Sequence, residues 1–425
     1  MPDGLARSSF RTTAMLALRL LTQAVTLVAI TRWLGPGRYG EYIAVASLAI
    51  VLSLIPNLGS AYVLMAREAR MPGEGIDVMR YGWVLSLVFG TLLTASFPSV
   101  AQLTTHSRFT WVDLWLIGAT ELMATPLILL LSGALQARHK VATGQGIQWI
   151  PLALRGCLAG TCLVAGDAIT FHAFVCWQAV LAVAGLFAAI LITSRHIPLR
   201  WSPRQPTRDE WKDGASYAAM HIVSANPTEL DKILSNRLLG EHTAGIYAAT
   251  SRILNAVVIP VIGMLLAAQQ RLFIHGSDPG AGGRRLIRTL FVLAGAWGIV
   301  SAAGTTLCAP LLPWILGAAY ADAASIMPWV ALAAPFVSLR LSAGTVLVAL
   351  GHPLHRMLFE LLGAVLMAVL LVAGAHYAQA RGMALGLACA ELCMAAAGWW
   401  MVIAAERQLR PNQAQRSGPG TAGRR

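Results

Sequence analysis

Runs of about twenty apolar residues recur along the whole chain, and they limit its fold more than any other feature. A run of that length crosses the hydrocarbon core of a bilayer as a helix. In lipid, each backbone N–H and C=O must find its partner inside the segment. Only 12% of the 425 residues are charged, against roughly 25% in a soluble globular protein, and 56% are hydrophobic. Twelve spans are predicted, near 12–31, 41–65, 81–101, 112–135, 147–166, 170–194, 214–236, 244–270, 289–316, 323–350, 357–377 and 383–405. An even count puts both termini on one face. With the N-terminus inside, Lys and Arg in the loops and termini number about four inside for each one outside, so that face is the cytoplasmic one. Arg7 and Arg11 precede the first run, which is long enough to span and is expected to act as a signal anchor.

The formal net charge of +13 raises the question of nucleic acid, but the basic residues are dispersed among short loops. No aromatic-interleaved basic patch or soluble domain is present to bind one. The six cysteines all fall in predicted spans without a metal-type spacing, and packing is the reading for them. No HExxH, CxxC or GxSxG arrangement occurs, and the loops are too short for a catalytic domain, so the chain is not read as an enzyme. The glycine-rich 280–285, GAGGRR, lacks the strand and Lys-Ser/Thr of a phosphate loop.

One turn occurs twice. Residues 31–45 read TRWLGPGRYGEYIAV and residues 236–250 read NRLLGEHTAGIYAAT. At a constant offset of 205, Arg32 matches Arg237, Gly35 Gly240, Gly40 Gly245 and Tyr42 Tyr247. The midpoint of the chain is the Pro- and Arg-rich 195–213, read as a linker. Both copies start from the same side, so the repeat is parallel. The expected architecture is an all-α integral membrane protein of about 12 transmembrane helices, in two parallel-repeat six-helix lobes around a central cavity. The lobes are 1–195 and 214–405, with a cytoplasmic linker at 196–213 and a disordered basic tail at 406–425.

Ionisable groups inside spans are costly and normally face a cavity or a partner. Arg19, Arg155, Arg252 and Arg340 are the candidates for binding an anionic substrate, since a guanidinium holds phosphate oxygens in pairs. Snorkelling to the interface, or structural pairing across helices, is the alternative for each. Asp231, Glu229 and His221 are candidates for an ion-coupling site. Asp231 and Lys232 are adjacent, about 100° apart on a helix, and are expected to point in different directions. Asn226-Pro227 is expected to break that helix and free carbonyls for a cation. A position near the wet end of the span is the alternative for all three charges.

The two hairpins carry a family resemblance. A span, then Arg32-Trp-Leu-Gly35-Pro-Gly-Arg-Tyr-Gly40-Glu-Tyr42, then a span containing Asn57-Leu-Gly59, resembles the start of bacterial polysaccharide flippases. These are the O-antigen, or lipid-linked oligosaccharide, translocases of the multidrug/oligosaccharidyl-lipid/polysaccharide exporter superfamily. Asp231-Lys232, with Leu239-Gly240, Gly245, Tyr247 and Arg252, resembles the opening of their second lobe. The resemblance implies alternating access driven by an H+ or Na+ gradient, with no cofactor. It implies an oligosaccharide on polyprenyl pyrophosphate as cargo, carried to the outer leaflet of a bacterial inner membrane for lipopolysaccharide or exopolysaccharide assembly. Polysaccharide polymerase machinery is an implied partner.

A multidrug exporter of the same superfamily is the first alternative; it calls for more acid than Arg in the cavity. A membrane glycan polymerase or ligase needs a large outer loop, and the outer loops here are short. A lipid II flippase resembles the chain less, because that family typically has fourteen spans.

Overall fold

The computed structural model describes residues 2–71, 73–276 and 281–416. Among them there is helix throughout and no strand. The helices in chain order are α1 (Pro2–Leu52), α2 (Ser60–Arg70), α3 (Met79–Thr105), α4 (Trp111–Ala119) and α5 (Thr125–Ala137). There follow α6 (Val141–Ala165), α7 (Phe171–Ser194), α8 (Arg208–Leu239), α9 (Glu241–Gly276) and α10 (Ala281–Leu307). The chain ends with α11 (Leu312–Leu316), α12 (Ala323–Ala331), α13 (Ala334–Ala349) and α14 (Pro353–Arg416). Among the described residues, nine helical stretches are long and apolar enough to cross a membrane. Two of these bend into two arms each, α1 at Gly35 and α14 at Ala378–Gln379. Large apolar side chains such as Val164, Leu103 and Trp400 are exposed, as suits helices whose outer faces meet lipid rather than water.

The repeated turn is a repeat in conformation. Gly35 has φ 68 and ψ 170, and Gly240 has φ 75 and ψ 158. A side chain disfavours that backbone, so glycine is required at both places. Five residues on, the two copies meet. A Cβ on Gly245 would overlap the Pro36 carbonyl oxygen, and one on Gly40 would fall 2.6 Å from the Gly245 nitrogen. The helices after the two turns therefore cross backbone to backbone.

Two spans treat their internal prolines, Pro56 and Pro227, differently. The second span is broken: 53–59 unwinds between α1 and α2, with Asn57 Oδ1 accepting from the Gly59 N–H at 2.9 Å. Irregular backbone at this depth is tolerated because it is buried in protein; Asn57 is 2% exposed. Conversely, α8 runs unbroken through Pro227, where a break was expected. A proline inside a membrane helix removes only one helical hydrogen bond, and packing neighbours tolerate it.

The chain divides into two compact units, Met1–Ala249 with Leu312–Ala323, and Thr250–Leu311 with Ala324–Arg425. In the first, α1 packs on α6 and α8, α5 on α2 and α6, and α6 on α7. The first helix of the second copy, α8, thus packs on the first copy's α1, α2 and α3. In the second unit, α13 packs on α10 and α14. At the far end, α14 continues to Arg416, into the segment expected to be irregular from Glu406; the remainder, 417–425, lies outside the described residues.

The 195–213 segment is docked, not loose. Asp77 pairs with Arg80 at 3.3 Å, Arg200 at 3.2 Å and Arg204 at 3.2 Å. Glu210 pairs with Arg67 and with Arg204 at 2.7 Å, and it completes a capping box with Thr207 that starts α8. Burial pushes the Asp77 carboxyl up. Hydrogen bonds from Arg80 and Arg200, with the charges of Arg204 and Arg80, outweigh this and hold it below its ordinary range. Burial acts the same way on Glu210. There the hydrogen bonds from Arg204 and Thr207, with the Arg204 charge, hold the carboxyl low.

Both folded-state values lie below the unfolded ones, so the docking contribution is complete above about pH 4 and is lost as pH falls through them. Asp77→Asn, which removes the shared partner of three arginines, is expected to accelerate tryptic cleavage after Arg200 and Arg204 at neutral pH. Pepsin cleavage of the same segment in the unmutated protein is expected to rise as pH falls below about 4. At the crossing, Gly245→Ala and Gly40→Ala are expected to cost about 1–3 kcal/mol or more and to lower Tm in detergent. Gly37→Ala, with nothing within 4 Å of an added Cβ, should leave Tm unchanged.

Candidate functional site

The first unit holds two charged clusters and a cationic face. In α8, Glu229, Asp231 and Lys232 are all buried. The Lys232 Nζ donates to Asp231 Oδ1 at 2.8 Å, so these neighbours do meet, contrary to the expectation from their 100° separation. The long lysine stem carries its ammonium back across the helix surface. Ser47 on α1 donates to Glu229 at 2.6 Å, and Tyr247 lies within electrostatic reach of Asp231. One turn on, the Asn236 side chain donates to the Thr105 carbonyl at 2.8 Å, closing the end of α3 onto α8. The side chain of His221 lies outside the described residues.

The second cluster centres on Arg155 of α6. It pairs with Glu121, which also accepts from Thr125 at 3.1 Å. Glu121 sits in a π-helical turn, Thr120–Ala124, between α4 and α5. Such a turn adds one residue to the helical repeat and re-aims the side chains in it. Tyr42 lies within electrostatic reach of Arg155, and its hydroxyl donates to Gln178 of α7 at 3.0 Å. Thr120, Thr125, Arg155 and Gln178 line a cavity of about 30 Å³, room for about two waters.

Arg19 is half-buried in the first arm of α1, and its Nη1 donates to Gln148 of α6 at 3.3 Å. Gln148 in turn donates to Ser132 at 2.6 Å. Gln148 and Arg155 are seven residues apart on α6, two turns and nearly in line. One face of α6 therefore gathers two of the four arginines singled out above.

The other two lie in the second unit. Arg252 of α9 is half-buried, about three turns into that helix. Arg340 of α13 is fully buried beside Glu391 and Glu360 of α14. Glu121, Glu360 and Glu391 are visible in the sequence as charges inside apolar runs, but nothing along the chain pairs them with these arginines. Tyr42 is marked in the sequence only as part of the repeated turn, and Ser47 and Gln178 carry no signal, since neutral polar residues are common in spans.

This is a multi-pass membrane protein with the fold of a known class of transporters. Over 95% of its length it superposes on an inward-facing multidrug resistance MATE family transporter of the MOP superfamily, covering 99% of that chain, with a TM-score of 0.76 at 13% identity. An outward-facing structure described in the same terms matches with a TM-score of 0.67 at 14% identity, covering 96% of each chain. A MOP superfamily transporter from Pyrococcus furiosus, described by the reverse polarity of its binding pocket, matches with a TM-score of 0.67 at 15% identity, over 95% of this chain and 96% of that one. No curated protein matches the chain significantly in sequence. The family profile described as "Polysaccharide biosynthesis protein" matches residues 5–268, and the chain belongs to that family.

Removing one partner of the buried pair leaves the other charge uncompensated. Lys232→Met is expected to cost about 3–5 kcal/mol, read as a fall in Tm and in folded yield. Combining it with Asp231→Leu should recover part of that loss, because removing both charges also removes their desolvation cost.

Proposed function

We propose that the protein is a secondary transporter that moves polyprenyl-pyrophosphate-linked oligosaccharide from the inner to the outer leaflet of a bacterial cytoplasmic membrane. The observation that carries this reading is the cationic face of α6, in a chain that pairs a transporter fold with membership of a polysaccharide biosynthesis family. A pyrophosphate is a dianion or more, and guanidinium groups hold such oxygens in a fixed, forked geometry. Gln148, the partner of Arg19, is a neutral amide, so that bond leaves the arginine's charge uncompensated. Arg155 is paired with Glu121 and has to exchange a carboxylate for a phosphate, which makes it the weaker anchor in the resting state. Of the other two candidate arginines, Arg252 is kept as a candidate for the anion, and Arg340, fully buried against Glu391, is read instead as part of the charge cluster of the second unit.

The transport is read as coupled to an H+ or Na+ gradient, with no organic cofactor. Asp231, Glu229 and His221 are the coupling candidates in α8. The excess of basic residues in the inside loops and tail supports a cytoplasmic position for both termini. The product is expected to pass to polysaccharide polymerase machinery for O-antigen, lipopolysaccharide or exopolysaccharide assembly. A multidrug exporter is the second reading, favoured by the superposition on multidrug transporters.

The test is the amount of lipid-linked glycan reaching the outer leaflet in cells. Arg19→Ala and the double variant Arg155→Ala/Glu121→Ala, which strands no buried charge, are expected to reduce delivery to background while membrane levels of the protein stay unchanged. Arg19→Lys, which keeps the charge but loses the fork, should restore part of it. Full delivery by both alanine variants overturns the reading. Efflux of lipophilic cations that survives both substitutions, with no glycan delivery by the unmutated protein, selects the exporter instead.

A further inference from the structure

The second unit holds a charge cluster whose arrangement suits a proton better than a phosphate. Arg340 is 0% exposed, and its Nε donates to Glu391 at 2.6 Å. Among the described residues, its Nη1 and Nη2 have no hydrogen-bond acceptor. The Glu360 carboxylate lies 4.0 Å from Nη1, just beyond hydrogen-bonding distance. Glu360 is 1% exposed and Glu391 2%, so two carboxylates share one guanidinium in the apolar interior. The fourth member, Arg356, stands one turn before Glu360 on α14, with its Nε 3.2 Å from that carboxylate and its side chain 23% exposed. Gly344, one turn beyond Arg340 on α13, leaves the space for this pair. A Cβ there would lie 3.0 Å from Arg356 Nε and 3.3 Å from Glu360 Oε1.

A carboxylate this deeply buried is neutralised by a cation or by a proton, because the bare charge is too costly to desolvate. Glu391 has a fixed cation in Arg340. Glu360 has a rim arginine whose long stem can carry its head out to water. The cluster is therefore electrically balanced in two states. In one, Glu360 is ionised and holds Arg356. In the other, Arg356 has swung out, a hydronium has given its proton to Glu360 and left as water, and the neutral carboxyl turns its carbonyl oxygen toward the Nη groups of Arg340. Proton release reverses the step. A sodium ion fits neither state, since it needs several oxygen ligands where Glu360 is flanked by guanidinium groups, which offer no acceptor atom, whereas a proton needs one oxygen.

We infer that Glu360, held between Arg340 and Arg356, is the group that binds and releases a proton during transport, and that the site does not take Na+. The inference rests on the transporter reading for its role in coupling, but proton binding itself is measurable without cargo. Among the described residues, the ion pairs place Arg356 of its own helix and Arg340 of α13 at Glu360, with Glu391 on the later arm of α14 sharing Arg340. Arg340 is the one charged residue of α13. The charged residues of α10, which packs on α13, are Arg284, Arg285 and Arg288, all exposed.

The experiment is infrared difference spectroscopy of the full-length protein in phosphatidylethanolamine/phosphatidylglycerol liposomes, titrated between about pH 5 and 9 in H2O and D2O around the physiological range. A deuterium-sensitive carboxylic C=O band should grow as pH falls. It should be lost in Glu360→Gln, retained in Asp231→Asn, and the same in Na+ and K+ buffers. Arg356→Gln, a rim change that spares the buried groups, should bring the band in at higher pH, because the proton no longer competes with the rim cation. A band that survives Glu360→Gln, that disappears in Asp231→Asn, or that Na+ suppresses overturns the inference. Loss of glycan delivery is scored separately, so a normal band in a protein that moves no glycan rejects the cargo and leaves the proton site standing.

Discussion

Every charge in this protein's apolar interior has to be reconciled with the cost of taking it out of water. At the centre of a membrane helix that cost is on the order of 2.5–3.5 kcal/mol per residue even by the lenient scales. The structure meets it by pairing: Arg155 with Glu121, Lys232 with Asp231, Arg340 with Glu391. Each pair constrains which helices lie together. Arg155 and Glu121 join α6 to the π turn between α4 and α5, and Arg340 and Glu391 join α13 to α14. Replacing such pairs with apolar groups often costs nothing in stability, so their presence in lipid points to work done with the charge.

The irregular backbone falls beside these same groups. The π turn contains Glu121, and the Gly35 and Gly240 turns lie seven residues before Tyr42 and Tyr247. Tyr42 then reaches Gln178 and the field of Arg155, while Tyr247 reaches that of Asp231. A duplicated turn thus delivers a tyrosine to a charged cluster twice, with different clusters at the two ends. The Gly40–Gly245 crossing sets the distance between the copies, since no side chain intervenes between the backbones.

Taken unit by unit, the charge clusters differ in kind. The first unit presents cationic groups along α6, one of them with a neutral partner, a pattern suited to an anionic headgroup. The second unit presents two carboxylates around one fixed and one rim guanidinium, a pattern suited to proton exchange. The polysaccharide family membership and the transporter fold are consistent with one protein needing both.

The sequence by itself determined the membrane class, the helical architecture and the duplication, because all three follow from local pattern: the length of apolar runs, the low charge density, and the Gly35/Gly240 turn that only glycine can adopt. It also marked which residues were costly enough to matter. Partnership belongs to the tertiary structure. Helical spacing said that Asp231 and Lys232 diverge, yet a lysine stem is long enough to fold back. Arg340 looked like any other intramembrane arginine until α14 brought Glu391 from 51 residues away to its Nε. Pro227 looked like a break, yet the α8 backbone runs helical through it. Which charges meet depends on contacts distant in sequence, and no periodicity along the chain encodes those.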